Sequence, residues 1–218
     1  MDLTLQSMAQ MAQSIIDGDK DAALRLARDV LSGGGDPQTA VEEGFIPGIQ
    51  KVGALWESGD YFLPELLASA EAMKAAMSVL RPALAAGRAA ALSQGKVVLG
   101  TVEGDIHDIG KNLVAALLSA NGFEVIDLGA DVTIERFIVA AEESGADIIG
   151  LSALLTTTML GQRRLIDELN RRGLRAKYAV LVGGAPVTQK WADEIGADGY
   201  GENALAAVRA AKTLAGRR

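Results

Sequence analysis

The sequence predicts an α/β protein in which a four-helix bundle precedes a doubly wound domain built on a parallel sheet of about five strands. Two observations support this prediction. Apolar residues recur at helical spacing up to about residue 90. From Lys96 onward, short β-branched runs alternate with amphipathic helical stretches. The expected domains are therefore residues 1–90 and residues 91–218.

The first half carries the signals of four helices. Apolar positions follow a helical period over Leu5–Ile16 and over Ala23–Val30. After a glycine-rich turn, a third helix is expected from about Pro37 to Trp56, and a fourth from near Phe62 with Pro64 in its first turn. Four methionines are expected to fill gaps in the core of this bundle: Met8, Met11, Met73 and Met77.

Residues 82–95, PALAAGRAAALSQG, are small and rich in alanine. Such a composition, low in bulky side chains, predicts a partly helical linker between the two domains. The same segment is the natural hinge if the helical domain has to move.

Four runs in the second half are typical of buried parallel strands: KVVLGTV, FEVIDLG, DIIGLSA and YAVLVGG. Gly122, Gly145, Gly173 and Gly196 are each expected to end a helix in the left-handed conformation just before the next strand begins. The β-α alternation predicts a sheet of the Rossmann or flavodoxin type. Ligands of such sheets bind beyond the carboxyl ends of the strands.

Composition excludes several classes of protein. The net charge of −7 and the pI of about 4.8 argue against a nucleic-acid partner. The absence of cysteine excludes disulfides and thiolate metal ligands. Without a signal peptide or an apolar run long enough to span a membrane, the chain is expected to be cytoplasmic, with no membrane partner.

Residues 103–112, EGDIHDIGKN, contain the only histidine of the chain and lie at a predicted strand-to-helix turn. A phosphate-binding P-loop does not fit them. Five residues separate Gly104 from Gly110, Asn112 replaces the serine or threonine that holds magnesium, and two aspartates would repel phosphate. A G-x-G-x-x-G dinucleotide fingerprint is also absent.

Two interpretations of this loop remain open. Asp105 or Asp108 could cap the helix that begins near Ile109, with His107 as an ordinary loop residue. Alternatively, Asp105 could accept a proton from one ring nitrogen of His107 while the other nitrogen binds a metal. A lone histidine cannot hold a bare metal ion tightly, so such a metal would arrive inside a tetrapyrrole-like macrocycle.

Three motifs resemble the signature of cobalamin proteins in which a histidine replaces the cofactor's own lower base. They are Asp105-x-His107-x-x-Gly110, Ser152-x-Leu154 and Gly183-Gly184. The first half is similar to the helical cap that precedes this domain in methionine synthase and in corrinoid proteins of methyltransferase systems. The resemblance covers nearly the whole chain.

The resemblance implies that His107 is the lower cobalt ligand and that Asp105 binds its other ring nitrogen. Thr158 stands where the family usually has the serine of this relay, which stores or releases a proton. Ser152 and Thr156 would lie near the displaced nucleotide tail, and three glycines would leave room for it. The implied cofactor-binding residues of this half are Gly104, Asp105, Ile106, His107, Asp108, Gly110, Ser152, Leu154, Thr156, Thr158, Gly183 and Gly184.

In the helical half, EEGFIPGIQKVGALWESGDYFLPELL looks like the family segment that covers the upper face of the corrin. By this resemblance Glu43, Trp56 and Leu63 would approach the methyl face. Trp56 stands where methionine synthase has a phenylalanine. The same side chains would be buried in any helical bundle, so this assignment depends on the resemblance alone.

The implied function is that of a methyl carrier, not catalytic alone, that binds cobalamin or a related corrinoid such as methylcobalamin. Cobalt(I) would accept a methyl group from a substrate-specific corrinoid methyltransferase with a TIM-barrel fold. A second methyltransferase would pass it to tetrahydrofolate or coenzyme M, and a reductive activase would be a further partner. The alternatives are a cobalamin-based sensor, a mutase-type subunit and a cofactor-free interaction module.

Overall fold

A computed structural model describes residues 3–86 and 94–216 of the chain. The backbone divides into two compact units, and each is described by itself. The first comprises residues 1–93 with 119–121, and the second comprises residues 94–118 with 122–218.

The first unit is helical, with four helical segments in its described part. Helix α1 spans Leu5–Ile16 and α2 spans Lys20–Ser32. The third segment begins as the short helix α3, Pro37–Thr39, continues as a π-helix over Ala40–Phe45 and ends as α4, Ile46–Ser58. Helix α5 spans Leu63–Ala86. The predicted number and order of helices are confirmed.

Side-chain caps and an apolar core explain this unit. Thr4 and Ser7 form a capping box at the start of α1, and Asp36 accepts the backbone N–H of Thr39 beside Pro37. Three of the four methionines expected in the core are buried, and Met8 is half-buried. Leu5, an apolar member of the first helical pattern, is 88% exposed.

The predicted linker, expected to be partly helical, is helical at its first residues. Helix α5 continues through Pro82 to Ala86, so residues 82–86 are helical. Residues 87–93, the middle of the predicted linker, lie outside the described residues. The helix runs on because alanine has the highest helix propensity of all residues.

The second unit contains a five-stranded sheet in which all described strand pairs are parallel. The strands are β1 (Lys96–Thr101), β2 (Glu124–Asp127), β3 (Ile148–Ser152), β4 (Ala179–Gly183) and β5 (Gly199–Gly201). Their order is β2-β1-β3-β4-β5. This is the flavodoxin-like order of doubly wound sheets, so the predicted fold class is confirmed.

Five helices connect and flank these strands. They are α6 (Ile109–Ala120), α7 (Ile134–Ser144), α8 (Leu160–Arg171), α9 (Gln189–Ile195) and α10 (Ala204–Ala215), with a 3₁₀ turn at Arg175–Lys177. The side chains of α7, α8 and α9 share one apolar core with the sheet. The four glycines expected to end helices all have positive φ. Over the described residues, no helix is long and apolar enough to span a bilayer.

Candidate functional site

The loop between β1 and α6 carries the single histidine, as the sequence predicts. The N–H of Asp105 donates to the carbonyl of Val102 at 3.1 Å, which starts a turn directly after β1. The buried hydroxyl of Thr101 donates to the carbonyl of His107 at 3.0 Å. Helix α6 begins two residues later, at Ile109. The last residue of β1 thus holds the main chain of the histidine in place.

The carboxylate of Asp105 is fully buried and gathers donors from two loops. Its Oδ1 accepts the backbone N–H of His107 at 3.1 Å and lies 2.8 Å from the ring Nδ1 of the same residue. Its Oδ2 accepts the hydroxyl of Thr158 at 2.6 Å and the N–H of Leu154 at 2.7 Å. The structure therefore uses Asp105 as a buried acceptor between the β1 and β3 loops, and not as a cap of α6.

These hydrogen bonds decide the ionisation of Asp105. Burial by itself raises the pKa of this carboxyl, but the hydrogen bonds from Thr158, Leu154 and His107 outweigh it and bring the pKa well below its usual range. An ionised carboxylate can only accept, so Nδ1 of His107 carries the proton of the 2.8 Å hydrogen bond. When the ring is neutral, this arrangement places its lone pair on Nε2.

Replacing Thr158 with valine should lower the free energy of unfolding. Valine is close in shape but cannot donate to Asp105, whose buried charge would lose its shortest hydrogen bond. The expected loss is about 1.5–3 kcal/mol, the net value of a hydrogen bond to a charged group. Urea unfolding followed by circular dichroism at neutral pH measures it. Thr158→Ser keeps the hydroxyl and should retain most of the stability; equal losses in both variants would contradict this account.

Large aliphatic side chains that line one cavity with His107 are exposed. Ile106 is 77% exposed, Ile109 is 80% exposed and Leu154 is 42% exposed. The side chain of His107 itself is 48% exposed. Large aliphatic groups clustered on a surface mark a binding site more often than isolated ones do. These three residues are called the apolar rim.

A cavity of about 470 Å³ adjoins this rim at the carboxyl ends of the strands. Helices α6 and α10 and the loops that precede them form one side, and β1, β3 and β4 form the other. Eight of the residues predicted as a site line it: Ile106, His107, Asp108, Gly110, Ser152, Leu154, Gly183 and Gly184. The position agrees with the rule that doubly wound sheets bind ligands beyond their strand ends.

Glycines line this cavity in two kinds of surroundings: one borders free space, and two others lie against close neighbours. At Gly110 an added Cβ would have no heavy atom within 4 Å, so the backbone of α6 borders free space. A Cβ at Gly150 would lie 2.7 Å from Cδ1 of Leu99, and a Cβ at Gly183 would lie 3.0 Å from the carbonyl oxygen of Gly201. Gly184 differs, because its Cβ would lie 1.8 Å from the carbonyl of Ala153. The need for glycine at residue 184 is thus already explained by main-chain packing.

Some predicted residues lie outside the cavity lining. Thr156 is exposed, and Gly104 borders a separate cavity of about 120 Å³. In the helical unit, Glu43 is exposed on the π-helix, Trp56 is half-buried near the end of α4, and Leu63 is 39% exposed at the start of α5. Their place over the upper face of a corrin stays a prediction.

Sequence reasoning missed several residues that support the loop. Nζ of Lys111, which is almost fully buried, donates to Asp127 and to Oδ1 of Asn112 at 2.6 Å. This ion pair joins the start of α6 to the end of β2 and explains the lysine without any phosphate. Asp131, the one non-glycine with positive φ in the described ranges, accepts the N–H of Gly104 at 2.7 Å. Only the unusual G-K-N triplet could have drawn attention to Lys111.

The site offers one strong metal donor. The described residues contain no group of three or more histidine and acidic side chains placed to hold a metal ion. A metal at His107 would therefore need its other ligands from a macrocycle. The apolar rim, Nε2 of His107 and the glycine-lined cavity fit a macrocycle that carries a long substituent.

Comparison with known proteins decides the family. Residues 95–209 match the model of the B12 binding domain, and residues 8–81 match a second model with the same description. The chain belongs to the family of B12-binding proteins. Its helical first unit and its α/β second unit each correspond to one of the two matched regions.

This B12-binding protein is similar to named relatives over its full length. It is 48% identical to a corrinoid protein of Desulfitobacterium hafniense strain Y51, over 99% of this chain and 100% of the relative. It is 47% identical to trimethylamine corrinoid protein 2 of Methanosarcina acetivorans, over 94% of each. The crystal structure of a methanol:cobalamin methyltransferase complex from Methanosarcina barkeri matches with a TM-score of 0.84 and 31% identity, over 99% of this chain and 81% of that chain.

Proposed function

We propose that this B12-binding protein is the methyl-carrying corrinoid subunit of a methyltransferase system. It accepts a methyl group from a substrate-specific corrinoid methyltransferase and passes it to a second methyltransferase that serves tetrahydrofolate or coenzyme M. The observation that carries the proposal is the single imidazole, oriented by a buried carboxylate, with its Nε2 lone pair open beside a glycine-lined cavity. When bound, the corrinoid supplies a cobalt centre at which a methyl group can be held.

In this proposal each residue of the loop has one task. His107 supplies the lower ligand through Nε2. Asp105 fixes the ring and its tautomer through the 2.8 Å hydrogen bond to Nδ1, as carboxylates commonly do for metal-binding histidines. Thr158 holds the carboxylate in turn at 2.6 Å. The exposed side chains of Ile106 and Ile109 would cover the lower face of the ring and shield it from water.

The relatives support a class of methyl donor. One of them is named for trimethylamine, and a solved neighbour is a methanol:cobalamin methyltransferase complex. A methylamine or methanol is therefore the class of methyl donor that the proposal favours. The proposed partners are a TIM-barrel methyltransferase for this donor, the second methyltransferase and a reductive activase. Glu43, Trp56 and Leu63 would shield the upper face, and the helical unit would move aside for transfer.

Methyl loading of the full chain tests the proposal. The protein is incubated with hydroxocobalamin, freed of excess ligand and reduced with titanium(III) citrate. It is then mixed with radiolabelled trimethylamine and a trimethylamine-specific corrinoid methyltransferase, or with labelled methanol and its methyltransferase. We expect the label to elute with the chain on gel filtration and to be released by light. Chain without cobalamin serves as the control and should stay unlabelled.

Two outcomes would overturn the proposal. A chain that binds no corrinoid would exclude a carrier outright. A chain that binds corrinoid but takes no label from either donor would contradict methyl carriage while leaving corrinoid binding intact. The second outcome would favour a cobalamin-based sensor.

A further inference from the structure

Gln162 is a fully buried amide whose role the proposed function does not explain. It lies in the first turn of α8, and its exposed fraction is 0%. Its Nε2 donates to the carbonyls of Leu151 and Gly183, both at 3.1 Å. Its Oε1 accepts the indole N–H of Trp191 at 3.0 Å. Both amide protons and the carbonyl are thus engaged, as a buried amide requires.

The two carbonyls that Gln162 joins lie on neighbouring strands at the same end of the sheet. Leu151 belongs to β3 and Gly183 to β4, and the register pairs Ser152 with Gly183 as the last residues of the two strands. The carbonyl of Gly183 also accepts the N–H of Ala153 at 3.2 Å. The amide therefore adds a cross-strand link at the last register pair. It adds to the hydrogen bond from Ala153 in fixing the distance between these two strand ends.

The opposite side of these strand ends faces the cavity. Side chains alternate along a strand, so Leu151 packs into the core shared with α8 while its neighbours Gly150 and Ser152 point the other way. Gly150, Ser152 and Gly183 all line the 470 Å³ cavity. Because a glycine backbone forms this wall, a change in the spacing of β3 and β4 changes the cavity directly.

We propose that Gln162 is a positioning residue for the nucleotide tail of the corrinoid. By bridging β3 and β4 from the core side, its amide sets the shape of the cavity that receives the tail. The protein thereby favours corrinoids that carry a lower nucleotide over those that lack one. This inference rests on the corrinoid binding of the proposed function, but not on methyl transfer.

The test compares two ligands that differ only in the tail. Hydroxocobalamin has the nucleotide, and cobinamide lacks it. Gln162→Met keeps an unbranched side chain of similar length and removes both donors. In spectrophotometric titrations of the full chain we expect the affinity for cobalamin to fall roughly tenfold, the size of one misplaced hydrogen-bonding contact. The affinity for cobinamide should stay within about twofold of the wild type, which is within ordinary additivity error.

Trp191→Phe is the matched control. It removes the third hydrogen bond of Gln162 and leaves the bridge between the strands intact. It should leave the ratio of the two affinities unchanged. Gln162→Asn, whose shorter side chain cannot span both carbonyls, replaces Gln162→Met if that variant fails to fold.

The remaining outcomes separate the possible failures. An equal fall in both affinities would mean that Gln162 supports the fold only, and it would overturn the inference. A wild-type ratio of the cobalamin and cobinamide affinities in Gln162→Met, or in Gln162→Asn where it replaces that variant, would also overturn the inference. A wild-type chain that binds neither ligand would overturn corrinoid binding itself, which distinguishes failure of the proposed function from failure of this inference.

Discussion

Replacing His107 with alanine should remove the protein's ligand to the corrinoid while leaving the fold intact. The ring is about half exposed, and the described contacts of its side chain reduce to one hydrogen bond with Asp105. Because this hydrogen bond goes to the buried charge of Asp105, the variant should lose about 1.5–3 kcal/mol in the free energy of unfolding, as expected for Thr158→Val, and should still fold. We expect the affinity for hydroxocobalamin to fall by roughly 10- to 100-fold or more, since the loss of a residue that only supports a metal ligand already has that effect.

The single histidine of the chain makes a direct assignment possible. Protein grown with nitrogen-15-labelled histidine, and purified without a histidine tag, is labelled at residue 107 alone. In the one-electron-reduced, paramagnetic complex, a bound ring nitrogen splits the electron spin resonance lines into triplets in unlabelled protein and into doublets in labelled protein. His107→Ala should lose this difference, because any nitrogen that then binds the cobalt comes from the unlabelled cofactor. Identical spectra for labelled and unlabelled wild type would exclude His107 as the ligand.

The fold could be predicted where local patterns are strong. Four of the five strands lie within the short β-branched runs from which the sequence predicts strands. The fifth, Gly199–Gly201, is only three residues of glycine and tyrosine and carries no strand pattern of its own. It exists because β4 pairs with it and α10 covers it, which is tertiary information.

The π-helical turn at Ala40–Phe45 was also beyond sequence reasoning. Its residues fit an ordinary helical period. A Cβ at Gly44 would lie 2.7 Å from Sδ of Met11, so this part of the helix packs closely against α1. Met11 and Gly44 are more than thirty residues apart in the sequence, so their contact leaves no local sequence pattern. Such turns occur often at functional sites, which agrees with the place of Glu43 in the proposal.

The residues of the candidate site also divide into those that the sequence predicted and those that depend on partners far along the chain. Asp105 and His107 are two residues apart, so extended geometry alone predicted that they meet. Thr158 came from the family resemblance. Lys111, Asp131 and Gln162 were missed because each acts through a partner far along the chain: Asp127, Gly104 and the strand ends. Buried polar residues of this kind become visible only when the fold shows which backbone groups they satisfy.

Gly184→Ala should be among the most destabilising substitutions in the α/β unit. The backbone at residue 184 has a φ of +129°, a region that only glycine adopts without strain. An added Cβ would lie 1.8 Å from the carbonyl oxygen of Ala153 and 2.7 Å from its carbon. Neither is the end of a flexible side chain, so β3 and β4 would have to separate. We expect a loss of roughly 3 kcal/mol or more in the free energy of unfolding, measured in urea.

Gly173→Ala separates close approach from backbone strain. Gly173 also has positive φ, at +71°, but a Cβ there would meet no heavy atom within 4 Å. Its substitution should cost only about 1–2 kcal/mol, the strain of a left-handed residue. The excess loss at Gly184 then measures main-chain packing together with the greater strain of its φ of +129°, and it should be present in protein that has never bound a corrinoid. If the two variants lose equal stability, the close approach is not what requires glycine, and the tail of the ligand becomes the better reason for the Gly183-Gly184 motif.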